Sequence, residues 1–307
     1  MKILVTGGAG FIGSHIADRM IEHGHTVVVL DNLSMGRIEN INPKAKFYLL
    51  DIGAKEVEKV FQQEKFDAVC HQAAQMDVRK SVEDPLFDAE VNVKGSLNLL
   101  QNCVKYGIKK FLFASTGGAV YGEQQNYPCD ESHPLRPVSP YGITKLTMEK
   151  YLFYYSVQFE LNYTILRYAN VYGPRQNPRG EAGVIAIFSH KLLRGEPPII
   201  NGNGKQTRDY VYVGDIVEAN IKALNYKKND IFNIGTGIET DVNKIFHILN
   251  HNIDSNIEKK HGPAKPGEQQ RSVISYKKAK KRLSWQPRID LEQGLKKTVE
   301  FFRKQKI

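Results

Sequence analysis

At 307 residues, 41% hydrophobic and 25% charged, the chain has the composition of a globular protein long enough for roughly two domains. No apolar run approaches the roughly 20 residues a membrane span needs, and Met1 leads directly into an apolar strand, so no signal peptide is expected. Cys70, Cys103 and Cys129 are too few and too scattered for a disulfide framework or a zinc site, which points to a reducing cytoplasm. The net charge of +10 favours anionic partners, and a nucleotide meets that as well as nucleic acid does. The best support for nucleic acid is the run Lys277, Lys278, Lys280, Lys281 and Arg282, which reads rather as the solvated face of a short helix.

The first element is an apolar run, Ile3, Leu4 and Val5, that meets Gly7, Gly10 and Gly13. Phe11, Ile12, Ile16, Ala17 and Met20 then recur at helical spacing, so the glycines sit at a strand-to-helix turn. Such a turn lets a pyrophosphate approach the backbone at a helix start, where free N–H groups attract it. The spacing Gly-x-x-Gly-x-x-Gly lacks the usual Gly-x-Gly opening, and an ordinary glycine-rich turn is the plainer alternative. The next strand, His25 to Leu30, ends at Asp31, where a carboxylate can bond ribose hydroxyls and repel a 2′-phosphate, favouring NAD over NADP. A loop-capping role for Asp31 beside Asn32 is the competing reading.

Strand and helix signals then alternate: Lys46 to Leu50, a polar helix from Ala54 to about Gln63, Asp67 to His71, and a long helix around Val91 to Lys105. Alternation of this kind predicts a parallel sheet flanked by helices, a doubly wound α/β fold. Val91, Leu97, Leu99, Leu100 and Val104 spread over more than one helix face, which implies deep burial or a subunit interface. The strand Lys110 to Ala114 is followed by Ser115, Thr116, Gly117 and Gly118, at the edge where open α/β sheets place their ligands. After a segment containing Pro128, Pro134, Pro137 and Pro140, a helix opens with Tyr141 and Lys145, four residues apart and therefore on one face.

Taken together, the glycine turn, the acidic end of the second strand, the Ser-Thr pair and Tyr-x-x-x-Lys resemble the extended short-chain dehydrogenase/reductase family, and within it the UDP-glucose 4-epimerase-like group. The similarity runs through TGGAGFIG at 6–13, DN at 31–32, HQAA at 71–74, YGITK at 141–145, RYANVYGP at 167–174, RDYVYVGD at 208–215 and FNIGTG at 232–237. It implies an NAD-binding Rossmann domain formed by residues 1–170 plus 210–238, and a smaller interleaved nucleotide-sugar domain formed by 171–209 plus 239–307. The implied activity is NAD-dependent 4-epimerisation of a UDP-hexose through a 4-keto intermediate, by a cytoplasmic homodimer with no nucleic-acid, membrane or metal partner. A UDP-glucuronate 4-epimerase or decarboxylase and a non-catalytic NAD-sensing regulator are the alternatives. A dehydratase is disfavoured because Gly117 and Gly118 stand where such enzymes carry an Asp-Glu pair.

The resemblance assigns Tyr141 as acid/base, Lys145 as the cation that lowers its pKa, and Thr116 as the hydroxyl steadying O4, with Ser115 a rival. It places Gly7, Gly10, Phe11, Ile12, Gly13, Asp31, Asn32, Asp51, Ile52, Gln72, Ala73, Ala74, Asn92, Ser115, Tyr141, Lys145 and Tyr168 around the cofactor. Asn92 is expected to support the active-site loop. Asn170, Arg208, Lys265, Glu268 and Ser272 are assigned to the substrate, Arg208 and Lys265 facing the diphosphate. Ser272 aligns with a position that gates the sugar 2-substituent, where a small residue would admit N-acetylated UDP-sugars (UDP-GlcNAc/UDP-GalNAc); the plainer alternative is that it begins an exposed strand. The helices Val91–Lys105 and Tyr141–Ser156 are expected to pair two subunits.

Overall fold

The computed structural model describes residues 1–178, 183–264 and 269–305. Its first half alternates as the sequence predicts: β1 (Lys2–Thr6), α1 (Phe11–Glu22), β2 (Thr26–Asp31), β3 (Lys46–Leu49), α2 (Val57–Glu64) and β4 (Ala68–His71). Two short helices, α3 (Val78–Glu83) and α4 (Pro85–Ala89), lead into a π-helical turn over Glu90–Gly95 and then α5 (Ser96–Lys105), β5 (Lys110–Thr116), α6 (Pro140–Phe159) and β6 (Asn162–Tyr168). The second half contains β7 (Asn170–Tyr172), α7 (Val184–Leu193), β8 (Ile199–Asn201), β9 (Thr207–Tyr212), α8 (Val213–Leu224), β10 (Asp230–Ile234), β11 (Glu239–Asp241) and α9 (Val242–Ile253). It closes with β12 (Lys260–Gly262), β13 (Arg271–Ser272), α10 (Lys277–Leu283) and α11 (Leu291–Lys304).

Seven parallel strands form the main sheet in the order β10-β6-β5-β4-β1-β2-β3. Strands such as VVVL in β2 and FLFA in β5 are apolar on consecutive residues because helices cover both faces. One face packs Ile3, Leu112 and Leu166 with α1 and α8; the other packs Leu4, Phe111 and Ile165 with α2, α5 and α6. The strand order reverses between β1 and β4, and the crevice beyond the carboxyl ends of these strands is where such sheets bind ligands. A second sheet, β11-β9-β13 with β7 also paired to β9, stands beside that crevice.

Several boundaries differ from expectation. The helix expected over Val91–Lys105 is split, because the π-helical turn precedes α5. Ser115 and Thr116 lie within β5, extended by pairing with Arg167 and Tyr168 of β6. Helix α2 starts at Val57, since residues 54–56 form turns. The lysine run does form a short helix, α10, yet Lys278 and Arg282 are drawn onto Asp230 at 2.5 and 2.6 Å. The three cysteines are free and buried. No described helix is long and apolar enough to cross a membrane, and the described residues hold no cluster of metal-binding side chains.

His71, buried at the end of β4, ties the end of β1 to the start of α5. Its Nδ1 lies 2.7 Å from Thr6 Oγ1 and its Nε2 lies 2.8 Å from Ser96 Oγ. Ser96 gives its one hydroxyl proton to Asn92 O, so it accepts from His71, which fixes the Nε2–H tautomer and makes Nδ1 the acceptor from Thr6. Burial, aided by the charge of Lys145, pushes the His71 imidazolium down to about 3. The unfolded chain therefore binds the proton near pH 6.5 while the native state does not, so stability falls as pH drops from 6.5 towards 3. Urea unfolding between pH 7 and 4 should show a slope that is shallower in His71→Gln, by up to about 1.4 kcal/mol per pH unit.

Candidate active site

The glycine turn is dictated by space. Gly7 has φ +68° and donates its N–H to Leu30 O at 2.9 Å; a Cβ there would lie 2.6 Å from Ala73 N. At Gly13 a Cβ would come within 2.1 Å of Gly7 O, so α1 can start against the turn only through glycine. Gly10 caps α1 without a side-chain bond, leaving the first-turn N–H groups of Phe11, Ile12 and Gly13 with no capping side chain. Asp31 closes the adjacent strand end, accepting from Ala9 N at 3.0 Å and Leu33 N at 2.8 Å. Asn32 donates to Asp51 at 2.7 Å, Asp51 accepts from Gly53 N, and Ile52 is buried beside them. The loop after β4, Gln72 to Ala74, runs against Gly7. An uncapped helix start behind a side-chain-free turn, with a carboxylate at the end of β2, fits a dinucleotide whose pyrophosphate sits on the turn and whose ribose reaches Asp31.

Helix α6 begins sharply because Ser139 caps it, accepting from Gly142 N at 3.1 Å, and Pro140 occupies the first turn. This places Tyr141 at the helix start, its N–H donating to Ser81 Oγ at 3.2 Å. One turn on, the buried Lys145 donates to Ala114 O at 2.9 Å, with its ammonium 5.9 Å from the Tyr141 ring centroid and 4.9 Å from that of Phe113. Burial pushes the Lys145 ammonium down to about 8, against the opposing pull of the Asp88 and Glu149 carboxylates.

The two candidate hydroxyls separate. Ser115 donates to Glu149 at 2.6 Å, inside a pair in which Arg167 Nε and Nη2 reach the same carboxylate at 2.9 and 2.5 Å. Its proton is therefore committed to the interior. Thr116 is half-buried at the sheet edge, and a Cβ built on Gly118 would lie 3.7 Å from Thr116 Oγ1 and 3.9 Å from Asn170 Oδ1, so these two side chains converge on one glycine.

Other sequence-predicted residues are distributed around this pair. Asn92 braces the loop after β4, accepting from Gln75 N and donating to Gln75 O, both at 2.9 Å, and to Asp88 at 3.0 Å. Its side chain is engaged by the protein itself, which agrees with the expected support of the loop. Tyr168 shares its hydroxyl with Gln72 and Asn220. Arg208 on β9 is paired in register with Ser272 on β13, and its Nη1 donates to Thr207 O at 2.8 Å. Ser272 is buried, which counts against the plainer alternative of an exposed strand start: β13 pairs with β9, and the next residue, Val273, accepts from Cys129 N at 3.1 Å. Lys265 and Glu268 lie outside the described residues. Sequence reasoning missed Asp88, Glu149 and Arg167 as supports. Glu149 had a usable signal, since it falls one turn beyond Lys145.

A seven-stranded parallel sheet with a glycine turn at its switch point and a tyrosine–lysine pair at its carboxyl edge defines a dinucleotide-dependent α/β enzyme. The chain belongs to the NAD dependent epimerase/dehydratase family, whose sequence profile matches residues 3–235. It is 42% identical over 309 residues to the UDP-glucose 4-epimerase of Mycolicibacterium smegmatis, covering 99% of each chain. Among solved structures, the UDP-glucose 4-epimerase of Thermotoga maritima with UDP-glucose matches with a TM-score of 0.98 at 50% identity, covering 99% of both chains. The Thermus thermophilus UDP-glucose 4-epimerase in complex with NAD matches at 0.93 and 43% identity, also over 99% of both.

These geometries order the hydroxyl variants. Tyr141→Phe should lower kcat about 10²- to 10⁴-fold with cofactor content unchanged. Thr116→Val should cost more than Ser115→Ala in steady-state assays; the reverse order assigns the role to Ser115.

Proposed function

We propose that this protein interconverts UDP-glucose and UDP-galactose by NAD-dependent inversion at C4. The observation that carries the reading is the buried Lys145 ammonium, held beneath Tyr141 on one helix face with Thr116 at the adjoining strand end. NAD, when bound, supplies the acceptor and donor of hydride at C4. A free phenol with a pKa of about 10 is only about 0.1% ionised at pH 7, and a three-unit shift needs roughly 4 kcal/mol of differential stabilisation. Lys145 contributes to that shift as a cation in a desolvated position. Ionised Tyr141 takes the proton of the sugar 4-hydroxyl and returns it to O4 once the 4-keto sugar has presented its other face for hydride return at C4, while Thr116 donates to O4. Arg208 holds the diphosphate, for which a planar guanidinium fork is suited.

The same reading divides the chain into a cofactor part, 1–170 plus 210–238, and a substrate part, 171–209 plus 239–307. In its support, the main sheet draws its strands from β1–β6 and β10; β9 straddles one boundary and pairs only with the second sheet. A reducing cytoplasm suits three free buried thiols. A homodimer is supported by α6, whose Ile143, Phe153, Tyr154 and Val157 are exposed, with Val82 and Leu86 of α3 and α4 nearby in the fold. The large apolar side chains of α5 are buried or half-buried, so α3 and α4 replace it beside α6 in this proposal.

Purified protein incubated with UDP-glucose should yield UDP-galactose by chromatography, and conversion of UDP-glucuronate alone would transfer the assignment. Ser272, in register with Arg208, carries a far smaller side chain than the tyrosine that would exclude a 2-N-acetyl group, so UDP-GlcNAc and UDP-GalNAc are proposed as a second substrate pair. Ser272→Tyr should then suppress turnover of the N-acetylated pair selectively; equal effects on both pairs refute the gate. Light scattering at micromolar concentration should give twice the chain mass, and a monomer mass counts against the dimer.

A further inference from the structure

Asp209 follows Arg208 on β9, and consecutive strand residues face opposite ways. Its side chain is accordingly buried, at 1% exposure, behind the strand face that carries Arg208. One oxygen accepts from Thr236 N at 2.8 Å and Thr236 Oγ1 at 2.6 Å; the other accepts from Gly237 N at 3.1 Å and Ile274 N at 3.4 Å. Space for this carboxylate is reserved: a Cβ on Gly235 would lie 2.4 Å from Asp209 Oδ2 and 2.7 Å from Ile274 Cγ1.

The four donors come from two separate segments. Thr236 and Gly237 follow β10, an edge strand of the main sheet, while Ile274 lies two residues beyond Ser272 on β13. A single carboxylate thus fastens the strand carrying Arg208 both to the sheet that builds the cofactor crevice and to the strand carrying Ser272. Ion pairing does not explain it, because every bond is donated by a backbone N–H or a hydroxyl.

We propose that Asp209 is a positioning residue for the nucleotide diphosphate and sugar, setting Arg208 and Ser272 at a fixed distance from the cofactor crevice. This rests on the roles given above to Arg208 and Ser272. Asn at 209 keeps one acceptor oxygen but turns an NH₂ group towards N–H donors, releasing either Thr236 N or Gly237 N and Ile274 N together. The effect falls on ground-state binding, because Tyr141, Lys145 and Thr116 stand on other elements.

The test uses the purified holoenzyme. Asp209→Asn should raise KM for UDP-glucose about tenfold, with kcat within about threefold and NAD content per subunit unchanged. Thr236→Val, which removes the hydroxyl that donates to Asp209 and accepts from Ile238 N at 3.2 Å, should raise KM about threefold. Calorimetric affinity for UDP should fall in step in both variants. Unchanged KM and UDP affinity overturn the proposal even if the melting temperature drops, as does a loss of kcat at constant KM. Should Asp209→Asn fail to fold, Thr236→Val decides by the same criteria. If the wild-type protein turns over no UDP-sugar, the epimerase reading fails, and the UDP affinities of the variants still decide the role of Asp209.

Discussion

The buried ion pair between Glu149 and Arg167 organises the sheet edge that carries Ser115 and Thr116 and the helix that carries Tyr141 and Lys145. Both side chains are almost wholly buried, at 2% and 1% exposure, so each charge depends on the other, and removing one partner of such a pair typically costs about 3–5 kcal/mol. The geometry is that of a fork on a carboxylate, with Nε and Nη2 on separate oxygens. Glu149 also takes the Ser115 proton, and Arg167 Nη1 donates to the Tyr121 hydroxyl, which in turn donates to Asn233. Helix α6, the ends of β5 and β6, the loop after Thr116 and β10 are therefore joined through one pair of charges. The pair binds α6 to β5 at residue 115, and Lys145 binds it again at residue 114, one helical turn earlier. Tyr141 inherits its place from these two attachments.

A second network works on the other side of the same helix. Asp88, fully buried, accepts from Thr144, Gln75 and Asn92, while Asn92 holds the loop after β4. That loop borders the glycine turn, and His71 links the turn to Ser96 and thence to the Asn92 carbonyl. The cofactor turn and the catalytic helix are thus coupled through polar side chains that have partners throughout, the condition under which buried polar groups add rigidity.

The sheet was readable from sequence because its strands are short apolar runs and its turn glycines have no substitute: Gly7 and Gly13 each leave no volume for a Cβ. Tyr141 and Lys145 were readable because helical spacing makes neighbours of residues four apart. Ser115 could not be separated from Thr116 in that way. What distinguishes them is a carboxylate 34 positions away in sequence, which only the packing of α6 on β5 reveals. Arg167 and Asp209 stood inside recognised motifs, yet their roles lie in contacts to Glu149 and to the segments at 236 and 274, which no local pattern encodes. The apolar residues of α5 read from sequence as deep burial or an interface, and Leu99, Leu100 and Cys103 are buried; periodicity reports which residues are apolar, not which neighbouring element covers them.

The π-helical turn over Glu90–Gly95 resolves one oddity of the sequence, the spread of apolar residues around the helix that follows. A π turn closes bonds five residues apart and so takes up more residues than an α turn. Side chains before and after it are out of phase: Asn92, within it, aims at Gln75 and Asp88, whereas Leu99, Leu100 and Cys103 beyond it face the core. A seamless α-helix of the same sequence could keep one of those two alignments but not both. The widened turn acts as a phase shifter, allowing a single stretch of chain to answer to two sets of neighbours.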